Sequence, residues 1–152
     1  MKTQFRWTVL TLTVSLGAIA YADAPATRLP AVDDALVAQL KDAAWTPFPL
    51  TEVPPGLQVW RIAGDAKTGP SITYAKFPAG YVFPTHWHSH AEMAVVISGT
   101  LHYAVEGKLV DLAPGSVIVF PAKQRHSTTC DKLSACIVLV RRTGAADYNF
   151  VK

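Results

Sequence analysis

Gly80-Tyr81-Val82-Phe83-Pro84-Thr85-His86-Trp87-His88-Ser89-His90-Ala91-Glu92 is the stretch that decides the fold, and it is followed by the apolar run Met93 to Ile97 and by Gly99. Three histidines and a glutamate fall within seven positions. On a strand, side chains at i and i+2 share a face, so His86 and His88 can present two imidazoles to one ion while Trp87 points the other way. Ser89-His90-Ala91 is short and polar enough to turn the chain and return Glu92 to the neighbouring strand as a carboxylate ligand. A fourth ligand has to come from elsewhere in the sheet. His126, which follows the turn Phe120-Pro121-Ala122-Lys123, is the best remaining candidate; His102, alone in mid-strand between Leu101 and Tyr103, is its rival. His90 sits in the turn, supporting or exposed rather than ligating.

Outward from this segment the texture is that of short strands broken by turn residues: Leu57 to Ala63, Ser71 to Phe77, Met93 to Ser98, Leu101 to Glu106, Leu109 to Leu112, Ser116 to Phe120, Arg125 to Cys130 and Ala135 to Arg141. Eight such runs in under ninety residues predict an all-β antiparallel sandwich or barrel. Glu106-Gly107-Lys108 and Ala113-Pro114-Gly115 mark tight turns between them. The barrel domain is thus placed at 56–142. Before it, 23–55 forms a Pro- and Ala-rich arm with one expected helix from about Ala31 to Ala44, where Val32, Leu36 and Leu40 recur every four residues and Asp33 and Asp34 suit the positive end of the helix dipole. Pro47, Pro49, Pro54 and Pro55 then force an extended entry. After it, the tail 143–152 carries Tyr148, Phe150 and Val151, whose apolar character predicts docking onto the domain.

Residues 1–22 have the pattern of an export signal: Lys2 and Arg6 at the start, an apolar middle from Trp7 to Ile19, and the small-x-small site Ala20-Tyr21-Ala22, with a cut after Ala24 fitting nearly as well. The expected destination is periplasmic or secreted. Thr11, Thr13 and Ser15 interrupt the apolar stretch, which falls short of the ~20 residues of a spanning helix, so no stable membrane association is expected after cleavage. The whole 152-residue chain is half hydrophobic and carries fourteen basic and eleven acidic residues, a net charge of +3. Without Lys2 and Arg6 the balance is twelve to eleven, or +1, and Arg141-Arg142 is the main remaining basic pair, which argues against nucleic-acid binding. In an oxidising compartment Cys130 and Cys136, with five residues between them, suit a hairpin bridge; two reduced core cysteines are the equal alternative.

The first segment resembles the first cupin motif, glycine, five residues, His-x-His, three or four residues, Glu, six residues, Gly, at Gly80, His86, His88, Glu92 and Gly99. The second motif is similar to Gly115, Pro121, Lys123, His126 and Cys130, with Lys123 where the family usually has glycine and Cys130 where it usually has asparagine. The resemblance covers about Gly56 to Arg142. It implies a jelly-roll β-barrel holding one divalent transition metal (Mn, Fe, Ni, Cu or Zn) on His86, His88, Glu92 and His126, a small-molecule substrate or ligand, and a possible homodimer. Broadly it also implies a metal-dependent enzyme on a small organic substrate, with dioxygenase chemistry first and isomerase or lyase chemistry next; the other reading is a non-catalytic metal- or ligand-binding or sensing barrel. Tyr74 and Tyr103 are the candidate catalytic side chains, able to supply a proton or orient a substrate. Arg125, next to His126, is either a lure for an acidic substrate or a solvated rim charge.

Overall fold

Side chains that alternate between a buried and a solvated face organise the chain into two antiparallel sheets. The computed structural model describes residues 36–151, so the export-signal segment and the first residues of the expected arm helix lie outside the described residues. In chain order the strands are β1 Thr46–Pro47, β2 Gln58–Gly64, β3 Ser71–Phe77, β4 Val82–Trp87, β5 Glu92–Ser98, β6 Leu101–Val105, β7 Lys108–Leu112, β8 Val117–Phe120, β9 His126–Cys130, β10 Cys136–Arg142 and β11 Asn149–Phe150. One sheet has the order β1-β2-β3-β10-β5-β8 and the other β11-β4-β9-β6-β7. This is the expected jelly roll, and each of the eight expected strands is present to within one residue at either end.

Period two is clean where a strand faces both the interior and solvent. In β3, β9 and β10 every second residue is buried, from Ser71 to Phe77, His126 to Cys130 and Cys136 to Arg142. Between the sheets Phe120, Leu101, Val96 and Val138 are fully buried, each contributing about 1.5–3 kcal/mol by leaving water. β6 and β7 are joined through Glu106 and Gly107, whose φ values of 49° and 79° are those of a two-residue hairpin turn whose twist matches its strands. Gly99, the last position of the first motif, has φ 75°, and a Cβ there would come within 2.8 Å of the Ala135 carbonyl oxygen and of Cys136 Sγ. Only glycine fits between β5 and β6 at that point.

Two expectations take a different form. Of the arm helix, the described residues contain one 3-10 turn, Leu40–Asp42, with none of its residues buried, while Leu36 and Val37 are exposed. A short helix with no surface to pack against lacks the tertiary support that stabilises most helices. The cysteines do form a disulfide, with Cα atoms 5.8 Å apart, but not within one hairpin: β9 and β10 belong to different sheets, so the bridge fastens the two sheets together at a corner. β9 runs from His126 to Cys130 and β10 back from Cys136 to Arg142. At ~3.3 Å per residue the disulfide and the histidine site therefore stand about 13 Å apart, at opposite ends of these strands.

Candidate metal centre

β4 carries Pro84 at an irregularity in its pairing with β9, between Phe83 and His86. A proline lacks the amide hydrogen that regular pairing uses, so it is accommodated at such a break. The break turns His86 inward and leaves the Pro84 carbonyl free to accept from His86 Nδ1 at 2.8 Å. His88, one residue past β4, donates from Nδ1 to the backbone carbonyl of Asp147, and His126 donates from Nδ1 to the Gln124 carbonyl at 3.1 Å. A carbonyl can only accept, so all three rings keep their proton on Nδ1 and offer a lone pair on Nε2. The three rings are buried, and their ligating nitrogens lie within 4.8 Å of one another. His86 Nε2 and His88 Nε2 are 3.2 Å apart. Two lone pairs facing each other at that distance repel, and a cation between them removes the repulsion. The donor chemistry therefore fits a divalent transition ion, and the histidine triad can hold one.

Burial pushes the His86 pKa down to about 3, with neighbouring His126 adding to the effect, and burial likewise lowers His126. Both are neutral at pH 7, the form that binds metal. The Phe120 ring stacks on His126 at 3.9 Å between centroids, holding the imidazole plane.

Glu92 opens β5 beside this triad, with Oε2 3.3 Å from His88 Nε2 and 2.6 Å from Arg142 Nη2. Glu92 and Arg142 are direct partners across β5 and β10. Burial raises the Glu92 carboxyl, but Arg142 and then His88 more than offset it and hold the group below the usual glutamate range. Oε2 makes no aligned hydrogen bond within the protein; the contact with Arg142 is an ion pair only. A buried carboxylate oxygen in that state is a ready ligand for a cation. Arg142 also donates from Nη2 to the Tyr148 hydroxyl at 2.8 Å. Burial raises the Tyr148 phenol, and Arg142 opposes the rise in part.

The C-terminal tail docks as expected and does more. β11 pairs with β4 opposite Trp87 and His86, and Val151 N donates to the Thr85 carbonyl at 3.0 Å. Asp147 is anchored by Ser89 N at 2.8 Å, Ser89 Oγ at 2.6 Å and Asn149 Nδ2 at 2.8 Å, which fixes the carbonyl that His88 uses. Tyr148 packs its ring 5.1 Å from that of His88 and 5.7 Å from that of His86.

His86, Glu92, His126, Arg142 and Tyr148 stand at the inner end of a cavity of about 220 Å³, walled largely by apolar side chains of β2, β3 and β10 and reached past Phe48, Leu50, Arg61 and Lys67. The structure thus gathers His86, His88, Glu92 and His126 and brings Tyr103 to the cavity that His86, Glu92 and His126 line, where burial raises its phenol. Tyr74 is not brought there: it lies on the outward face of β3, stacked on Trp60. His102 also faces outward, its Nδ1 2.6 Å from Asp111 and its Nε2 3.4 Å from Asp131. His90 and Arg125 are exposed. Arg142, Asp147 and Tyr148 are the site residues that sequence reasoning missed. Arg142 had a readable signal, since it continues the parity of Cys136, Val138 and Val140, three inward positions of one strand. The apolar character of Tyr148 signals docking of the tail but not where it docks, and Asp147 carries no signal, because both follow a loop.

Lys123 occupies the second motif's glycine position in the left-handed conformation, φ 67°, and its N–H donates to the His88 carbonyl at 2.8 Å. The turn beside His126 therefore survives the substitution.

A protein-family model described as Cupin domain matches residues 73–140, and with the two motifs and the jelly roll in place this segment is a cupin domain. No curated protein matches the chain in sequence. Among solved structures it is similar to KdgF from Halomonas sp. (20% identity, TM-score 0.58, covering 74% of this chain and 94% of that one). It is also similar to the polyketide cyclase RemF from Streptomyces resistomycificus (15%, 0.62, 76% and 84%). A third is the DMSP lyase DddQ from Ruegeria pomeroyi DSS-3 (19%, 0.55, 66% and 55%). At such identities the likeness is one of fold.

Proposed function

We propose that the chain is an exported, metal-dependent enzyme that carries out lyase- or isomerase-type proton chemistry on a small organic substrate. The observation that carries this reading is the convergence of three buried Nε2 lone pairs beside the Glu92 carboxylate, with His86, His126 and Glu92 lining the inner end of a cavity that opens outward. His86, His88, His126 and Glu92 would hold one divalent ion, whose chemistry is that of a Lewis acid polarising a substrate oxygen. The proton-moving group is the Tyr148 phenol, which lines the cavity and accepts from the Arg142 guanidinium. A phenol anchored beside a fixed cation can give up and recover a proton in place. Tyr103, across the same cavity, orients the substrate and keeps water out. Similarity to a DMSP lyase and a polyketide cyclase agrees with non-redox chemistry, although a shared fold by itself assigns none. Export is supported by the leader-like first 22 residues and by the disulfide.

Dioxygenase chemistry, placed first on the resemblance, moves to second place because a phenol–guanidinium pair at the cavity end serves proton transfer directly. Elemental analysis of untagged protein from its native compartment tests the foundation: about one equivalent of transition metal is expected, lost in His86→Ala, His88→Ala and His126→Ala but kept in His102→Ala. Equal effects at His88 and His102 would undo the ligand assignment. Incubation with a panel of small organic acids and carbonyl compounds in D2O, followed by proton NMR and an oxygen electrode, tests the chemistry. Deuterium uptake or elimination without oxygen consumption, abolished in Tyr148→Phe, is expected; metal-dependent oxygen consumption would install the dioxygenase reading instead.

A further inference from the structure

The charges that line the cavity do not balance. Arg61, Lys67 and Arg142 face it against one carboxylate, Glu92. Asp65 offsets part of the charge at the mouth, 3.6 Å from Arg61, but its oxygens are also engaged by Lys67 N and Thr68 Oγ1. Deeper in, Arg142 is buried, its Nη2 shared between Glu92 and Tyr148, and its Nε has no partner within the protein. A buried guanidinium donor in that state calls for an acceptor. Neutral imidazoles add no negative charge, so a divalent ion on them widens the excess of positive charge. Between the cationic mouth and the cationic inner end the wall is apolar, formed by Leu57, Val59, Phe77 and Val138.

We infer that the cavity takes a small organic carboxylate, its anionic end received at Arg142 and the histidine centre, its apolar body along Leu57, Phe77 and Val138, and its approach steered by Arg61 and Lys67. This names the substrate class of the enzyme proposed above and so rests in part on that reading. The cations of the mouth raise the rate of capture, and the inner cation gives the bound anion its direction.

Isothermal titration of the full mature protein, at low salt and with metal content measured on the same sample, can test this with three probes of one length: hexanoate, 1-hexanol and protonated hexylamine. Hexanoate is expected to bind about tenfold or more tighter than 1-hexanol, and hexylammonium most weakly. The double variant Arg61→Ala/Lys67→Ala alters only exposed side chains; it should weaken hexanoate about threefold or more and leave 1-hexanol unchanged. Hexanol binding as tightly as hexanoate, hexylammonium competing with it, or a double variant of unaltered hexanoate affinity would each overturn the inference. Metal content separates the two proposals. A protein that holds its metal yet ignores the carboxylate refutes the substrate class alone. A protein without metal that still prefers hexanoate refutes the metallo-enzyme reading while upholding the anion pocket.

Discussion

Replacing Asp147 with alanine removes no metal ligand, yet it should weaken metal binding about tenfold. The carboxylate of Asp147 accepts from Ser89 N, Ser89 Oγ and Asn149 Nδ2, and its own backbone carbonyl accepts from His88 Nδ1. Hydrogen bonds to a charged acceptor contribute about 1.5–3 kcal/mol each in full burial. Asp147 is half-buried and its three bonds share one anchor, so their joint contribution is nearer 1–2 kcal/mol after solvent screening. If that anchoring is what holds the carbonyl against His88, its loss reappears as a poorly oriented imidazole, and 1.4 kcal/mol is one decade of affinity. The figure sits at the low end of the 10- to 100-fold range typical when a partner that orients a ligating histidine is lost. Competition between the protein and a fluorescent zinc chelator gives the affinity directly. Asp111→Ala, which takes a similar acceptor from the outward-facing His102, is the control and should leave zinc affinity unchanged. Wild-type zinc affinity in Asp147→Ala would refute the tail's role in positioning His88.

Arg142→Met should cost about 3–5 kcal/mol in metal-free protein, because it strands the buried Glu92 carboxylate, and much less with zinc bound, where the ion takes over as counter-charge; urea denaturation with and without zinc measures both, and equal losses would mean that Glu92 does not face the ion. His102 has its pKa raised, by Asp111 and then Asp131. A raised folded-state value gives stability that is fully present below the unfolded value near 6.5 and is lost as pH rises through the folded one, so His102→Gln should flatten the fall in thermal stability above about pH 6.5, and parallel curves for variant and parent would count against it. Lys123→Gly relieves a left-handed non-glycine residue and should stabilise the protein by about 0.5–1 kcal/mol, read as a higher urea midpoint; a lower midpoint would show that the lysine makes an offsetting contact.

The barrel was legible because its strands obey period two and its turns use residues with few other uses, such as Glu106-Gly107. The histidines were legible because a chelating pair on one strand must be spaced by two, and because His126 stands at a strand start while His102 shares the outward parity of its neighbours Ala104 and Thr100. Parity also separates Tyr103 from Tyr74, but only once the face of each strand is known, and the starting residue of β3 and β6 sets that. Asp147 and Tyr148 reach the site through a loop after β10 and a two-residue strand, a path of about five residues whose direction depends on tertiary contacts with Ser89, Trp87 and Thr85 rather than on any local pattern. Of the expected arm helix, the described residues keep only the turn Leu40–Asp42, because a four-residue apolar repeat specifies a longer helix only when a neighbouring surface covers it.

The bridge between Cys130 and Cys136 also bears on which ion reaches the histidines. These are the chain's two cysteines, and joined to each other they leave no thiolate anywhere in the sequence. Thiolate is the donor that captures monovalent copper and competes hardest for zinc. With it withdrawn, the histidine triad is the one cluster of three or more such donors among the described residues, and the choice falls to imidazole and carboxylate. Reduction of the bridge would return two thiols to a buried pole about 13 Å from the cage, where no third donor of the described residues joins them.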